Sequence, residues 1–122
     1  MTSAIRVRRS TTAQSAADDA AAWVAARAVA LIERTGRFVW AVSGGSTPAV
    51  FLESLATHDQ VDWSAVHLFQ VDERIAPAGS RDRNDTMIRE RFVDHRPPRA
   101  VSLHAGRGRR RTLCARWPPE RA

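Results

Sequence analysis

The sequence predicts an α/β fold, in which a parallel sheet carries helices on both faces. Two short runs rich in β-branched and aromatic residues, Phe38–Val42 and Val66–Val71, have the composition of buried strands. Segments with helical spacing alternate with these strands, and the connections between them are short. This alternation is typical of parallel sheets, whose ligands bind beyond the carboxyl ends of the strands.

The remaining elements are predicted from their spacing and from the residues at their ends. Residues 13–35 are rich in alanine, the best helix former, and their apolar residues form one stripe. Gly36 suits the position that ends this helix. Ile5–Arg9 alternates apolar and basic residues, which favours a short exposed edge strand. A frayed terminus is the alternative interpretation. Two more helices and a third strand are predicted at residues 48–56, 84–94 and 101–103.

Length and charge divide the chain into two parts. With 122 residues, 43% of them hydrophobic, it has the size and composition of one globular domain. The net charge is +6, of which residues 105–122 hold +5 and residues 1–104 only +1. We therefore predict a partial α/β domain over residues 1–104 and a disordered, Arg/Pro-rich tail over residues 105–122. The tail contains no recognisable nucleic-acid-reading module, so no specific nucleic-acid partner is expected.

The sequence also argues against several other classes of protein. No apolar run approaches 18 residues, so no membrane span is expected. The N-terminus lacks the apolar region of a secretory signal, and the single cysteine, Cys114, fits a reducing compartment. We therefore expect a cytoplasmic protein without a membrane partner. No His/Cys cluster has the spacing of zinc ligands, so we expect no metal.

A glycine-containing turn, Ser43–Thr47, follows the first predicted strand directly. Gly44 and Gly45 allow a sharp turn and leave the backbone N–H groups open to a ligand. Thr47 is predicted to cap the next helix, with Pro48 in its first position. The free N–H groups, the helix N-terminus and the three hydroxyls of the turn together favour a bound phosphate or another anion. A turn without a ligand is the alternative interpretation.

The arrangement of the glycines limits which phosphate ligands are expected. The motif differs from the G-x-G-x-x-G pattern of dinucleotide sites, and it lacks the lysine of a P-loop. The sequence therefore predicts a small phosphorylated ligand that is held mostly by backbone and hydroxyl groups.

Charged side chains follow the second predicted strand, at Asp72, Glu73 and Arg74. Because parallel strands end at the same edge of a sheet, we expect these residues to share a crevice with the glycine turn. Arg74 can hold a phosphate through two parallel hydrogen bonds, and Asp72 can bind sugar hydroxyls or transfer a proton. A surface ion pair with a loop-capping aspartate is the alternative interpretation.

Three sequence stretches occur in a characteristic order, AVSGGSTP at residues 41–48, HLFQVDERIAP at 67–77 and SRDRND at 80–85. They resemble the first half of 6-phosphogluconolactonase, a family related to glucosamine-6-phosphate deaminases and isomerases. The resemblance covers residues 13 to about 104 and implies an incomplete half of that Rossmann-like fold. It also implies hydrolysis of 6-phosphoglucono-1,5-lactone to 6-phosphogluconate in the oxidative pentose phosphate pathway. The implied partner is a phosphorylated sugar lactone, with neither cofactor nor metal.

The resemblance also assigns roles to residues of this chain. It implies that Gly44, Gly45, Ser46 and Arg74 bind the phosphate and that Asp72, the candidate catalytic residue, lies near the sugar. To these we add a set of neighbouring residues from the same motifs. Ser43 and Thr47 are expected to contact the phosphate through their hydroxyls, while Glu73 and Asn84 are expected to support substrate binding.

Two alternative functions remain open at this point. The first is an amino-sugar-phosphate isomerase or deaminase, in which the aspartate at the Asp72 position would shuttle a proton. That group usually has an aromatic residue where this chain has Arg74. The second alternative is a non-catalytic fragment that only binds sugar phosphates.

The sequence departs from the family pattern after His104. The family's later glycine-aspartate-glycine-histidine motif, whose histidine is thought to activate water, is absent, and so is a later lysine that helps to hold the substrate. We therefore expect a truncated or frameshifted product with a non-native tail and little turnover of its own. An incomplete sheet leaves an unpaired edge, through which we expect self-association.

Overall fold

A three-stranded parallel sheet lies at the centre of the computed structural model, which describes residues 4–102. The strands are β1 (Phe38–Val42), β2 (Val66–Gln70) and β3 (Ala100–Ser102), and they lie side by side in the order β1-β2-β3. Both pairings are parallel, and in their register Phe38 pairs with Val66 and His67 pairs with Ala100. The carboxyl ends of β1 and β2 therefore meet at the same edge, where the sequence predicts the ligand site.

Helical segments precede the first strand and connect the strands to one another. They are α1 (Ala13–Thr35), α2 (Ser46–Leu55) and α3 (Asn84–Ile88), which continues as a π-helical turn at Arg89–Val93. A short 3₁₀ turn, Trp63–Ala65, leads into β2. None of the helices within residues 4–102 is long and apolar enough to cross a bilayer.

The first helix has well-defined signals at both ends. The hydroxyl of Thr12 accepts the N–H of Ser15 at 3.0 Å, and the hydroxyl of Ser15 accepts the N–H of Thr12 at 3.1 Å, which forms a capping box. At the other end, Gly36 adopts φ +79° and donates its N–H to the carbonyl of Ile32 at 2.8 Å. Small buried residues let α1 lie close to α2; these are Ala17, Ala21, Ala25 and Ala28.

The described helices cover one face of the sheet. Side chains from α1, α2 and the α3 segment form one core with Val42, Val66 and Leu68. The sequential strand order explains why α2 and α3 lie on the same face, because right-handed crossovers that add strands in one direction all do so. Helix α1 precedes β1 and packs against α2. On the opposite face, Val39 remains 40% exposed and Phe69 39% exposed.

These observations confirm the predicted α/β class with a parallel sheet, and α1 has the predicted bounds. Several boundaries differ: α2 begins two residues earlier than predicted, and β3 begins one residue earlier. Residues 5–9 form no strand, as the frayed-terminus interpretation predicts. Within residues 4–102, no helix covers the second face of the sheet. The predicted tail, residues 105–122, lies outside the described residues.

Candidate functional site

An open cleft of about 620 Å³ lies at the carboxyl ends of β1 and β2. Its walls come from the start of α2, from the segment between β2 and α3, and from one side of the α3 segment. The lining residues are Gly45, Ser46, Ala49, Arg74, Arg81, Asp82, Arg83, Asn84, Met87 and Arg91. Four of these ten side chains are arginines and only one is acidic, so the composition of the cleft favours an anionic ligand.

The glycine turn forms one wall of the cleft. Gly45 adopts φ +108° and ψ 177°, a conformation essentially restricted to glycine. Helix α2 then starts at once with Ser46, and its first backbone bond runs from the N–H of Ala49 to the carbonyl of Gly45, at 3.2 Å. The N–H groups of Ser46 and Thr47 precede that bond, so they have no acceptor within the helix.

The predicted cap at Thr47 is wrong. Gly45 is the N-cap of α2, with no side-chain cap hydrogen bond, and Pro48 is the third helical residue rather than the first. The reason is conformational: the positive φ of Gly45 turns the chain into the helix directly, without a capping hydroxyl. The turn therefore presents backbone N–H groups more directly than the sequence suggests.

Gly44 lies directly against Asn84. A Cβ on Gly44 would overlap the Asn84 side chain and would lie 2.5 Å from its Cβ. Asn84 also donates through Nδ2 to Oδ1 of Asp72 at 3.2 Å and to the Asp72 carbonyl at 3.4 Å. Gly44 is thus required for the contact between the β1 turn and α3.

Glu73 contacts protein groups on all sides. Its Oε1 accepts the N–H of Asn84 at 2.6 Å and that of Arg74 at 2.7 Å. Its Oε2 accepts the N–H of Asp85 and the side-chain amide of Gln70, both at 2.9 Å. Burial alone would raise the pKa of the Glu73 carboxyl, but these hydrogen bonds outweigh it and lower the pKa to about 2.

Arg83 lines the cleft but belongs to the same network of hydrogen bonds as Glu73. Its Nε donates to Oδ1 of Asp85 at 3.0 Å, and its Nη2 lies 3.3 Å from Oε2 of Glu73. Its side chain is only 3% exposed. The hydrogen bond to Asp85 is the main cause that raises the pKa of Arg83, so this cation is held by protein carboxylates.

The other residues predicted after β2 have different environments. Arg74 is exposed and lines the cleft beside Gly45 and Ser46. Asp72 is exposed and accepts hydrogen bonds from Asn84, but it does not line the described cleft. Its predicted catalytic role stays a prediction.

The predicted phosphate-binding residues do not all lie together, and Gly44 lines neither of the two cavities around the turn but packs against Asn84. Gly45, Ser46 and Arg74 meet in the cleft. Ser43 and Thr47 instead line an apolar groove of about 710 Å³ between α1 and α2, which Ser46 also borders. Ser43 and Thr47 therefore border a different cavity from Arg74.

Part of the cleft wall lies outside the predicted set of site residues. Arg81, Met87 and Arg91 line it but are not among the predicted site residues. Met87 follows Asn84 by three residues and Arg91 follows Met87 by four, which is the spacing of one helical face. That periodicity, counted from Asn84, would have revealed both. No group of three or more metal-ligating side chains occurs within the described residues.

Comparison with known proteins assigns the family. A family model described as glucosamine-6-phosphate isomerases/6-phosphogluconolactonase matches residues 11–117. The chain belongs to this family.

Individual relatives point to the lactonase branch. The chain is 36% identical to a 6-phosphogluconolactonase from Nostoc sp. over 74 residues, which are 61% of this chain and 30% of the relative. It is 44% identical to a 6-phosphogluconolactonase from Mycobacterium leprae over 73 residues, or 59% of this chain and 26% of the relative. The chain thus spans about a quarter to a third of the length of these curated relatives.

Solved structures agree with the fold. A 6-phosphogluconolactonase from Shewanella baltica superposes with a TM-score of 0.65 at 27% identity, covering 75% of this chain and 40% of that one. A monomeric glucosamine-6-phosphate deaminase superposes with a TM-score of 0.64 over 80% of this chain and 42% of that one. At 15% identity, the second likeness shows the fold alone.

Proposed function

We propose that this chain carries the phosphate-binding half of a 6-phosphogluconolactonase site, which serves hydrolysis of 6-phosphoglucono-1,5-lactone to 6-phosphogluconate. The observation that carries the proposal is the meeting of Gly45, Ser46 and Arg74 in one arginine-rich cleft. Curated relatives named as 6-phosphogluconolactonases support the choice of reaction. The isomerase or deaminase alternative has no comparable support.

The cleft suits the phosphate end of such a substrate. The N–H groups of Ser46 and Thr47 and the N-terminus of α2 favour negative charge. The guanidinium of Arg74 can add two parallel hydrogen bonds to phosphate oxygens. We assign the phosphate to this corner, with Gly44 shaping the turn behind it.

The chemical step requires a base that activates water and groups that stabilise the developing oxyanion. Asp72 is the candidate base in the described residues, since it lies at the strand end beside the cleft, although it does not line it. Because the family's later histidine motif is absent from the sequence, we expect little turnover from this chain alone. The cytoplasmic location and self-association through the sheet edge also stay predictions, which fractionation and sedimentation would test.

Ligand binding and catalysis are tested separately. Calorimetry should show binding of 6-phosphogluconate and no measurable binding of gluconate, which lacks the phosphate. Arg74→Ala should weaken binding about tenfold, the loss expected for a charge-assisted bidentate contact. Arg34→Ala removes the same charge at the end of α1, at the opposite edge of the sheet, and should leave binding unchanged.

Two outcomes would contradict the proposal. Equal binding of gluconate and 6-phosphogluconate would show that the cleft does not recognise the phosphate. Equal losses of affinity in Arg74→Ala and Arg34→Ala would show that only the net charge of the protein matters for binding. Lactone hydrolysis well above the spontaneous rate would show instead that the base lies in this chain. Asp72→Asn would then be the first variant to assay.

A further inference from the structure

The carboxylate of Glu73 does for α3 what a capping side chain normally does. The N-cap residue of α3, Arg83, makes no side-chain cap hydrogen bond. Glu73, at the end of β2, instead accepts the first two N–H groups of the helix, those of Asn84 and Asp85. With the N–H of Arg74 and the amide of Gln70 also bound, both oxygens already hold two protein donors each.

This arrangement leaves Glu73 little capacity for a ligand. Its side chain is 8% exposed, and Arg83 closes it off at 3.3 Å. A carboxylate offers about four lone-pair sites, and four protein N–H groups occupy them here. The support of substrate binding that the sequence predicts for Glu73 therefore has to act through these protein contacts.

Asn84 connects Glu73 to the glycine turn through two contacts. The 2.6 Å bond from the Asn84 N–H fixes that residue at the start of α3. The Asn84 side chain then packs on Gly44 so closely that no Cβ fits between them. Gly44 is joined covalently to Gly45, which lines the cleft together with Ser46.

We propose that Glu73 is a positioning residue that sets the backbone of the Gly44–Ser46 turn through Asn84, without touching the ligand. The nature of the ligand rests on the proposed function, but the coupling between Glu73 and the turn does not. The two are therefore tested by different readouts.

The variant Glu73→Gln separates two explanations, because they predict opposite changes in the affinity for 6-phosphogluconate. A carboxylate near an anion site repels phosphate, so if only charge mattered, Glu73→Gln would tighten binding. If Glu73 positions the turn, the amide cannot accept the N–H groups that the lost oxygen held, and binding weakens. We expect an affinity for 6-phosphogluconate about tenfold lower.

A matched control removes an acid of the same charge elsewhere. Asp59 pairs with Arg96 at the surface, away from the cleft. Asp59→Asn should leave the affinity within about twofold, as expected for an exposed pair. Unchanged or tighter binding by a folded Glu73→Gln variant would overturn the proposal.

A second measurement does not depend on any ligand. In ¹⁵N-resolved NMR spectra of the free protein, Glu73→Gln should shift the amide signals of Gly44, Gly45 and Ser46, which lie beyond its direct contacts. Unmoved signals from these residues would contradict the coupling. If the wild type binds no sugar phosphate at all, the proposed function fails, while these shifts still decide whether Glu73 positions the turn.

A double-variant cycle tests the middle of the connection. Gly44→Ala places a methyl group in the volume of Asn84, and should displace the turn and weaken binding. Adding Asn84→Gly removes that obstruction and should restore part of the binding affinity that Gly44→Ala loses. Additive losses in the double variant would show that Gly44 and Asn84 do not act on each other.

Discussion

The ends of β1 and β2 meet at the same cleft but are built in opposite ways. The end of β1 is almost without side chains: Gly44 and Gly45 lead into α2 with no side-chain cap. The end of β2 is rich in side chains, and both carboxylate oxygens of Glu73 there accept protein N–H groups. On our two proposals, one strand end presents its backbone to a ligand, whereas the other holds that backbone in place.

Two neighbouring charged residues at the end of β2 accordingly have different environments. Arg74 follows Glu73 directly, yet it reaches the cleft while Glu73 is turned into the protein. A carboxylate that faces backbone N–H groups rigidifies a structure, because each bond replaces one lost to water and orders the loop around it. A guanidinium left exposed at the same edge remains available to an anion.

The largest expected effect comes from the strand end that presents backbone. Gly45→Ala forces a side chain into φ +108°, which should cost about 2 kcal/mol of the free energy of unfolding. It should also weaken sugar-phosphate binding about tenfold, because the amides at the start of α2 move. Urea titration and calorimetry measure the two effects.

Gly79→Ala is the control for backbone strain. Gly79 also has a positive φ, +83°, but lies in the loop before α3, where a Cβ would meet nothing within 4 Å. This variant should lose about 1 kcal/mol of stability and keep its binding. If both glycine variants bind equally well, the β1 turn does not contact the ligand and the comparison between strand ends breaks down.

An intermediate effect is expected when the pH is lowered, because Glu73, just after β2, then becomes protonated. The hydrogen bonds of Glu73 lower its pKa from 4.5 to about 2, so it stabilises the fold above pH 4.5 and loses this contribution as the pH falls toward 2. Across that window the wild type should lose about 2 kcal/mol more than Glu73→Gln. Urea unfolding at a series of pH values checks this. Parallel profiles for the two proteins would show that the Glu73 carboxylate does not support the fold.

The smallest effect is expected from the helical wall of the cleft. Arg91 is exposed and pairs with Glu53, so its charge is already partly compensated. Arg91→Ala should weaken 6-phosphogluconate binding about two- to threefold, and less at high salt. Calorimetry at two salt concentrations measures this. A loss as large as that of Arg74→Ala would move the phosphate toward the α3 segment.

The sequence predicts local features of the fold well and distant contacts poorly. The bounds of α1 follow from its alanine content and from Gly36, which are signals within the element itself. The start of α2 was predicted too late because the conformation of Gly45, which replaces the cap at Thr47, is not visible in the sequence. In both cases a glycine next to the boundary fixes where the helix begins or ends, but the conformation of Gly45 is known only from the structure.

Contacts of the site across the chain could not be predicted in this way. Glu73 caps a helix that begins eleven residues later, and Asn84 packs on a glycine of another strand end. Neither contact has a periodic signature. The separation of Ser43 and Thr47 from Arg74 likewise depends on how the turn is rotated, which only the structure gives.

The side-by-side strand order also has a consequence for how the molecule forms. Each of the two strand pairings joins segments separated by roughly 30 residues, with a helix between them. Loop closure is therefore limited to one strand–helix–strand unit at a time. The described part of the chain can fold in sequence order during synthesis, since each new strand adds to a neighbour that has already left the ribosome.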